Sequence, residues 1–196
     1  MRVIAGQFRS RRLQSLPGME LRPTSDRLRE TLFDILTAGN PAALEGTVWI
    51  DLYAGTGAVG IEALSRGAAM VYFVESAPDA AELIRKNLQA LGITSGFQVL
   101  RQDAVRALQA WDKSGIRANF VFMDPPYVME AAYAQALTTL SSSAFLLPET
   151  MVMVEHQNKF DPGEQIASLK RYRLLKQGDA ALSFYRWAMN FLTDHS

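Results

Sequence analysis

Residues 47–60 read TVWIDLYAGTGAVG, a short apolar run that leads directly into a glycine-rich turn. The run over residues 47–52 has the length and apolarity of a buried strand, and the residues after Gly57 have the composition of a helix. The three glycines have the spacing G-x-G-x-x-G, which permits a tight turn and lets a ligand approach the main chain closely. This segment therefore predicts a strand–turn–helix unit with a binding site at its turn.

Four further apolar runs follow at regular intervals, and helical segments separate them. The runs are VYFVE (71–75), FQVL (97–100), NFVFM (119–123) and MVMVE (151–155). They are nearly continuous in apolar residues, which is typical of parallel strands that helices cover on both faces. Helices are predicted over residues 58–66, 78–91, 105–111 and 131–140. The pattern indicates a doubly wound α/β fold.

The two last extended segments, residues 171–176 and 183–188, are joined through Gly178 and Asp179. The connection is too short for a crossover helix, so the two segments are predicted to pair antiparallel.

Charge divides the chain into a basic N-terminal extension, residues 1–40, and a main domain, residues 41–196. The whole chain has a formal net charge of zero, but residues 1–30 contain seven arginines, no lysine and three acidic residues. A helix is predicted to begin near Thr24 or Ser25 and to pack on the main domain. The arginines indicate either a solvated arm or a nucleic-acid-binding surface. The candidate nucleic-acid-binding residues are Arg9, Arg11, Arg12 and Arg22. Replacing them is expected to leave ligand affinity at the glycine turn unchanged, because that turn lies elsewhere in the chain.

Composition excludes several classes of protein. The 196 residues include no cysteine, which excludes disulfides, zinc–thiolate sites and cysteine catalysis. No apolar run reaches the roughly 18 residues of a membrane span, and the N-terminus has no signal-peptide core. His156 and His195 have no neighbours at metal-ligand spacing. We therefore expect a cytoplasmic protein with no metal and no membrane partner.

Acidic side chains end three successive strands. Asp51, Glu75 and Asp103 occupy these positions, and the carboxyl ends of parallel strands meet in one crevice. A dinucleotide and S-adenosylmethionine both fit the glycine turn and an acid that binds ribose. A carboxylate at position 51 is unfavourable near a pyrophosphate but suits the cationic end of S-adenosylmethionine. The predicted cofactor-binding residues are Asp51, Ala54, Gly55, Gly57, Glu75, Asp103 and Ala104.

A second motif, Asp124-Pro125-Pro126-Tyr127, follows the strand NFVFM directly. The two prolines lack N–H groups and hold the chain extended, so the carbonyls of Asp124 and Pro125 are predicted to be free acceptors. An Asp124 oxygen and the Pro125 carbonyl could accept both hydrogens of an exocyclic amine on a base, and Tyr127 offers a ring for stacking. We predict these four residues to be the catalytic residues.

With these motifs the chain resembles class I S-adenosylmethionine-dependent methyltransferases, and closely the bacterial RsmD-like family that methylates guanine N2 in 16S ribosomal RNA. The resemblance rests on RVIAGQFRSRRL, LRPTSDRLRETLFDIL, DLYAGTGAVGIEALSRGA, FVE, QDA, MDPPY and GDAALSFYRW. It implies a Rossmann-like sheet of seven mostly parallel strands with an antiparallel last strand. It also implies an N-terminal extension that helps to hold RNA.

The function indicated first is methyl transfer from S-adenosylmethionine to a guanine N2 amine, which leaves S-adenosylhomocysteine and needs no metal. The partner is then 16S ribosomal RNA or an assembling small-subunit particle. Two alternatives stay open. One is an amino-methyltransferase that acts on adenine N6 in DNA or on a protein glutamine, since D-P-P-Y is shared with those classes. The other is a non-catalytic RNA-binding module.

Overall fold

Helices and strands alternate along most of the chain, as predicted. The computed structural model describes residues 1–15 and 23–188, with side chains from 26 onward in the second range. The helices are α1 (Pro23–Thr37), α2 (Ala58–Ser65), α3 (Pro78–Ala90), α4 (Ala104–Trp111) and α5 (Glu130–Ser141). The strands are β1 (Val48–Leu52), β2 (Met70–Val74), β3 (Phe97–Leu100), β4 (Ala118–Met123), β5 (Leu146–Gln157), β6 (Gln165–Ile166), β7 (Leu169–Gln177) and β8 (Ala180–Trp187). No helix in the described part of the chain is both long enough and apolar enough to cross a membrane.

One sheet contains all the strands, in the order β3-β2-β1-β4-β5-β8-β7-β6. Strands β1 to β5 are parallel, and β8 runs antiparallel to both β5 and β7. The predicted antiparallel pairing of the last two segments is thus confirmed. The predicted strand number of seven is wrong: β6 is an eighth strand, whose two residues pair with β7 and are too few to show a pattern.

The start of β5 also differs from the prediction. This strand begins at Leu146, five residues before the apolar run MVMVE, and Leu146 pairs with Ala118. The register then shifts before Phe120 pairs with Met151. Pro148 and Glu149 are exposed in the irregular part, so this stretch lacks the apolar pattern of a strand.

Helices cover the sheet on both faces, which confirms the doubly wound class. On the first face, Leu28 and Phe33 of α1 share a buried cluster with Trp49 of β1, and Phe33 and Trp49 stack with ring centroids 5.5 Å apart. On the second face, α4 and α5 contribute Leu108 and Leu137 to a second cluster. The carboxyl edge of the parallel strands lies between these two layers.

The N-terminal residues form a small hairpin that packs against α2. Arg2 and Arg12 form its bridge. The carboxylate of Glu62 is fully buried and accepts hydrogen bonds from the main-chain N–H groups of Ile4 (2.7 Å) and Ala5 (2.9 Å). The hairpin is therefore anchored to α2 of the main domain, and the predicted domain boundary between residues 40 and 41 remains a prediction.

One buried side chain, Asn87, connects the hairpin segment to the glycine turn, and the Thr56 hydroxyl adds a contact with Met1 Sδ at 3.4 Å. The Asn87 Oδ1 atom accepts a hydrogen bond from the Gln14 N–H group at 2.8 Å. Its Nδ2 group donates to the Gln14 carbonyl at 3.2 Å and to the Thr56 carbonyl at 3.0 Å. The N-terminal segment and the glycine turn are therefore in contact, whereas the expectation that replacing the arginines leaves ligand affinity at the turn unchanged stays a prediction. Asn87 lies 73 positions from Gln14, so no local pattern reveals this contact.

Candidate functional site

A groove of about 1040 Å³ opens at the carboxyl edge of the parallel strands. The glycine turn borders it through Gly55, and the strand-end acids Glu75 and Asp103 line it. Residues 124–132, which begin with the D-P-P-Y motif, form its other side. The structure thus brings together two motifs that are about 70 residues apart in the sequence.

The glycine turn has the conformation that its spacing predicts. Gly55 and Gly57 have φ angles of 55° and 78°, a region that favours glycine, and α2 begins directly after Gly57. Gly60 has another role: a Cβ atom there would lie 2.3 Å from Cε1 of Phe73. Gly60 therefore lets α2 pack tightly on β2, which holds the turn at the edge of the groove.

Glu75 binds the turn and faces the groove. Its Oε2 atom accepts a hydrogen bond from the Gly55 N–H group at 2.9 Å, and its Oε1 atom accepts one from Ala77 at 2.8 Å. A carboxylate has about four acceptor positions, so Glu75 retains capacity for hydroxyl groups of a ligand. This position agrees with the ribose-binding role predicted for Glu75, which remains a prediction.

Asp103 both caps a helix and lines the groove. It caps α4, because its Oδ1 atom accepts a hydrogen bond from the Arg106 N–H group at 3.1 Å. Ala104 is buried directly behind it, and Ala54 is half-buried, with its N–H group bonded to the Val74 carbonyl. Of these residues only Asp103 lines the groove.

Asp51 lies beneath the glycine turn and is not among the residues that line the groove. It is 1% exposed, and its Oδ2 atom accepts a hydrogen bond from the Gly60 N–H group at 2.8 Å. Burial raises the pKa of Asp51 to about 8, and the negative charge of Glu75 adds to this effect. The carboxyl group holds α2 on the strand, and its predicted pairing with a cationic ligand remains a prediction.

The D-P-P-Y motif is held by hydrogen bonds from three directions. The Asp124 N–H group donates to the Leu52 carbonyl (3.4 Å), and the Pro126 carbonyl accepts from the Met129 N–H group (2.8 Å). The Pro125 carbonyl accepts from the Tyr133 hydroxyl at 3.0 Å. The prediction that the Pro125 carbonyl is free is therefore wrong. A carbonyl oxygen has two lone pairs, so one of them remains for a ligand.

Four side chains form a row along the carboxyl edge, and each comes directly after the last residue that its strand pairs with a parallel neighbour. They are Glu75, Tyr53, Asp124 and Glu155. The Tyr127 hydroxyl donates to Glu155 Oε1 at 3.4 Å. Glu155 was not predicted as a site residue. It ends the apolar run MVMVE in the same way as the predicted Glu75 ends the run VYFVE.

Tyr53 has an unusual backbone conformation for a residue with a side chain. Its φ angle is 60°, the left-handed region in which non-glycine residues are rare and strained. In a regular strand Tyr53 would share a face with Asp51, but it packs against the second core cluster and lines the groove. Burial raises the pKa of Tyr53 to about 12, and the charge of Asp103 acts in the same direction.

Three of the four predicted RNA-binding arginines, Arg9, Arg11 and Arg12, are not among the residues that line the groove. Arg9 and Arg12 are exposed on the hairpin, whereas Arg11 is exposed but donates to the Ala90 carbonyl at 2.8 Å. Arg22 lies outside the described residues. Arg9 also lines a smaller cleft of about 370 Å³ between the hairpin and α1.

His156 has a structural role, as its isolation in the sequence indicates. It is 2% exposed, its Nε2 atom lies 2.9 Å from Ser183 Oγ, and its Nδ1 atom lies 2.9 Å from the Gln157 carbonyl. Within residues 1–15 and 23–188, no group of three or more His, Cys, Asp or Glu side chains is arranged to hold a metal ion.

Comparison with known proteins finds a match between residues 1–186 and the family described as conserved hypothetical protein 95. The chain is 32% identical over 191 residues to ribosomal RNA small subunit methyltransferase D of Haemophilus influenzae. The match covers 97% of this chain and 94% of that protein. The solved structure of Escherichia coli YhhF is 30% identical, with a TM-score of 0.77 over 95% of this chain and 97% of that one. A Thermus thermophilus 16S rRNA N2-guanine methyltransferase (RsmC), solved with AdoMet and guanosine, shares the fold at 22% identity. Its TM-score is 0.66, and the match covers 86% of this chain and 44% of that one.

Proposed function

The chain belongs to the family described as conserved hypothetical protein 95, and from its similarity to a named ribosomal RNA methyltransferase we infer that it is an S-adenosylmethionine-dependent methyltransferase of ribosomal RNA. The Haemophilus influenzae relative, which matches almost end to end, carries the name of such an enzyme. We further propose that the methyl acceptor is the exocyclic N2 amine of a guanine in 16S ribosomal RNA. The observation that carries this proposal is the D-P-P-Y motif facing the glycine turn across one groove.

The charge of the groove favours S-adenosylmethionine over a dinucleotide. Its described lining includes four acidic residues, Glu75, Asp103, Asp124 and Glu130, and no lysine, arginine or histidine. A pyrophosphate would have no cation to bind there, whereas a cationic sulfonium and amino group are attracted by carboxylates. Glu75 would bind the ribose, and Asp103 would accept from the adenine amino group. When bound, this cofactor supplies an electrophilic methyl group.

The same acidic charge restricts how RNA can use the groove. Phosphates are repelled by the carboxylates that line it, whereas an uncharged base is not. We infer that a single base enters, splayed out of its stack, while the phosphates remain outside.

The residues of the motif then orient the target amine. An Asp124 oxygen and the remaining lone pair of the Pro125 carbonyl accept its two hydrogens, which aims the nitrogen lone pair into the groove. Tyr127, which Glu155 holds by its hydroxyl, stacks on the base. Such positioning of two bound reactants can contribute on the order of 7–11 kcal/mol to catalysis. Asp124 serves first to orient the amine, and water can take the released proton.

Nucleotide mapping tests the proposed function. We expect the purified protein to transfer labelled methyl groups to 16S ribosomal RNA from a strain that lacks the corresponding gene. Digestion and mass spectrometry should identify N2-methylguanosine. The RNA is supplied both naked and as small-subunit particles, which shows the form that the protein uses. N6-methyladenosine would support the alternative amino-methyltransferase, and cofactor binding without transfer to either substrate would support a non-catalytic module.

We propose that the exposed arginines of the hairpin bind RNA phosphates. Replacing Arg9 and Arg12 by alanine is expected to weaken RNA binding and to flatten its dependence on salt. Counterion release predicts a change of about 0.7–0.9 in the log–log slope per lost contact, or roughly 1.5 for two contacts. Affinity for RNA is measured against salt concentration. Arg11 is left intact because it bonds to α3.

The matched control removes two exposed positive charges elsewhere. Lys113 and Arg117 lie between α4 and β4, at the opposite edge of the sheet from the groove. Their double alanine variant should keep the salt slope of the natural protein. Equal slopes for the two double variants would show that the hairpin arginines make no specific phosphate contacts.

A further inference from the structure

Tyr133 contacts the D-P-P-Y motif from α5, a helix to which the sequence assigns no functional residue. The side chain is 1% exposed and packs in the second core cluster, with its ring centroid 4.9 Å from that of Phe160. Its hydroxyl donates to the carbonyl of Pro125, which is itself buried, at 3.0 Å. A polar atom at this depth has a cost unless it is hydrogen-bonded, and Pro125 provides the acceptor.

The motif depends on this donor because of its own composition. Pro125 and Pro126 have no N–H groups, so neither peptide can be held through a donor of its own. Of the two carbonyl groups of these prolines, that of Pro126 accepts a hydrogen bond from the Met129 N–H group. The Pro125 carbonyl is the one that the proposed function assigns to the target amine, and Tyr133 is the residue that binds it.

The surroundings of Tyr133 keep its proton in place. Burial raises the pKa of the Tyr133 hydroxyl well above its ordinary value, and the negative charge of Asp124 adds to this effect. The hydroxyl is therefore protonated at neutral pH and donates its hydrogen to the Pro125 carbonyl.

We propose that Tyr133 is a positioning residue for methyl transfer. Its hydroxyl binds one lone pair of the Pro125 carbonyl and thereby directs the other lone pair, together with Asp124, at the exocyclic amine of the target base. The inference rests on the proposed function and adds to it a residue outside the motif. Tyr133 does not contact the reacting atoms and acts only through Pro125.

The test is the variant Tyr133→Phe, which keeps the ring and removes the hydroxyl. We expect kcat for methyl transfer to 16S ribosomal RNA to fall about 5- to 10-fold, in line with the loss of one buried hydrogen bond. The KM for RNA and the Kd for S-adenosylmethionine should change less than twofold, because the variant leaves both binding surfaces intact. Single-turnover rates separate the chemical step from product release.

A matched control exists on β8. The Tyr185 hydroxyl is part of a fully buried residue and donates to the Gly163 carbonyl at 2.7 Å, away from the groove lining. Tyr185→Phe therefore removes the same kind of hydrogen bond, and should lower Tm about as much as Tyr133→Phe while leaving kcat unchanged. An equal kcat loss in both variants, or none in Tyr133→Phe, overturns the positioning role. If the natural protein itself transfers no methyl group to the RNA, the proposed function fails, and this inference fails with it.

Discussion

Replacing Asp124 by alanine is expected to lower the rate of methyl transfer about 10²- to 10³-fold. This is the usual size of the effect when one preorganised hydrogen bond to a transition state is removed. The side chain is half-buried at the end of β4 and lines the groove, and its main chain is held to β1. Asp124→Asn keeps one acceptor oxygen in the same place and should retain most of the activity, because the residue orients the amine first. Rates are measured on 16S ribosomal RNA under single-turnover conditions.

Cofactor affinity shows whether Asp124 binds the target amine or belongs to the cofactor pocket. Calorimetry should give a Kd for S-adenosylmethionine within a few-fold of that of the natural protein, since Glu75 and the glycine turn are unchanged. Glu130→Ala is the matched control, because this exposed acid lines the same groove. A loss of cofactor affinity as large as the loss of rate would place Asp124 in the cofactor pocket and refute its assigned role.

The second large effect is expected on stability, from the replacement of Glu62 by alanine. The Glu62 carboxylate is 0% exposed and accepts hydrogen bonds from two main-chain groups of the hairpin and from Arg66 Nε at 2.8 Å. The variant would leave these three partly buried donors without their acceptor. Breaking a buried ion pair in this way typically costs about 3–5 kcal/mol in the free energy of unfolding.

Urea unfolding and hydrogen exchange together measure this effect. The amides of Ile4 and Ala5, which bond to Glu62, should exchange faster in the variant. Glu82→Ala is the control, because Glu82 is exposed and its ion pair with Arg85 is 3.7 Å long. Such surface pairs contribute about 0–1 kcal/mol. A loss of stability no larger than that of Glu82→Ala would show that the hairpin is held by other contacts.

Most of the sheet follows from local patterns in the sequence. Five apolar runs predict the parallel strands. The helical segments that separate these runs predict the layers that cover the sheet. The connection through Gly178 and Asp179 predicts the antiparallel pair β7–β8, which the structure confirms. Two features had no such pattern: β6 has only two residues, and the first part of β5 contains Pro148 and Glu149 across a register shift. Both are determined by pairing with neighbouring strands.

The site is predictable where its residues end strands and not where they act through distant partners. The structure places Glu75, Asp103 and the D-P-P-Y motif around one groove because carboxyl ends of parallel strands meet. Strand predictions assume that successive side chains alternate between the two faces of the sheet, and the left-handed conformation of Tyr53 breaks this alternation. Tyr133 and Asn87 are ordinary helix residues in the sequence, and only the folded chain shows which carbonyl groups they bind.

The three hydrogen bonds of Asn87 couple the N-terminal segment to the glycine turn. The side chain is 1% exposed and bonds to both main-chain groups of Gln14 and to the carbonyl of Thr56. If the segment around Gln14 detached, two of the three hydrogen bonds of this amide would be lost at once, and only its bond to the Thr56 carbonyl would remain. We therefore expect opening of the N-terminal segment to be coupled to loosening of the turn, across a long separation in sequence.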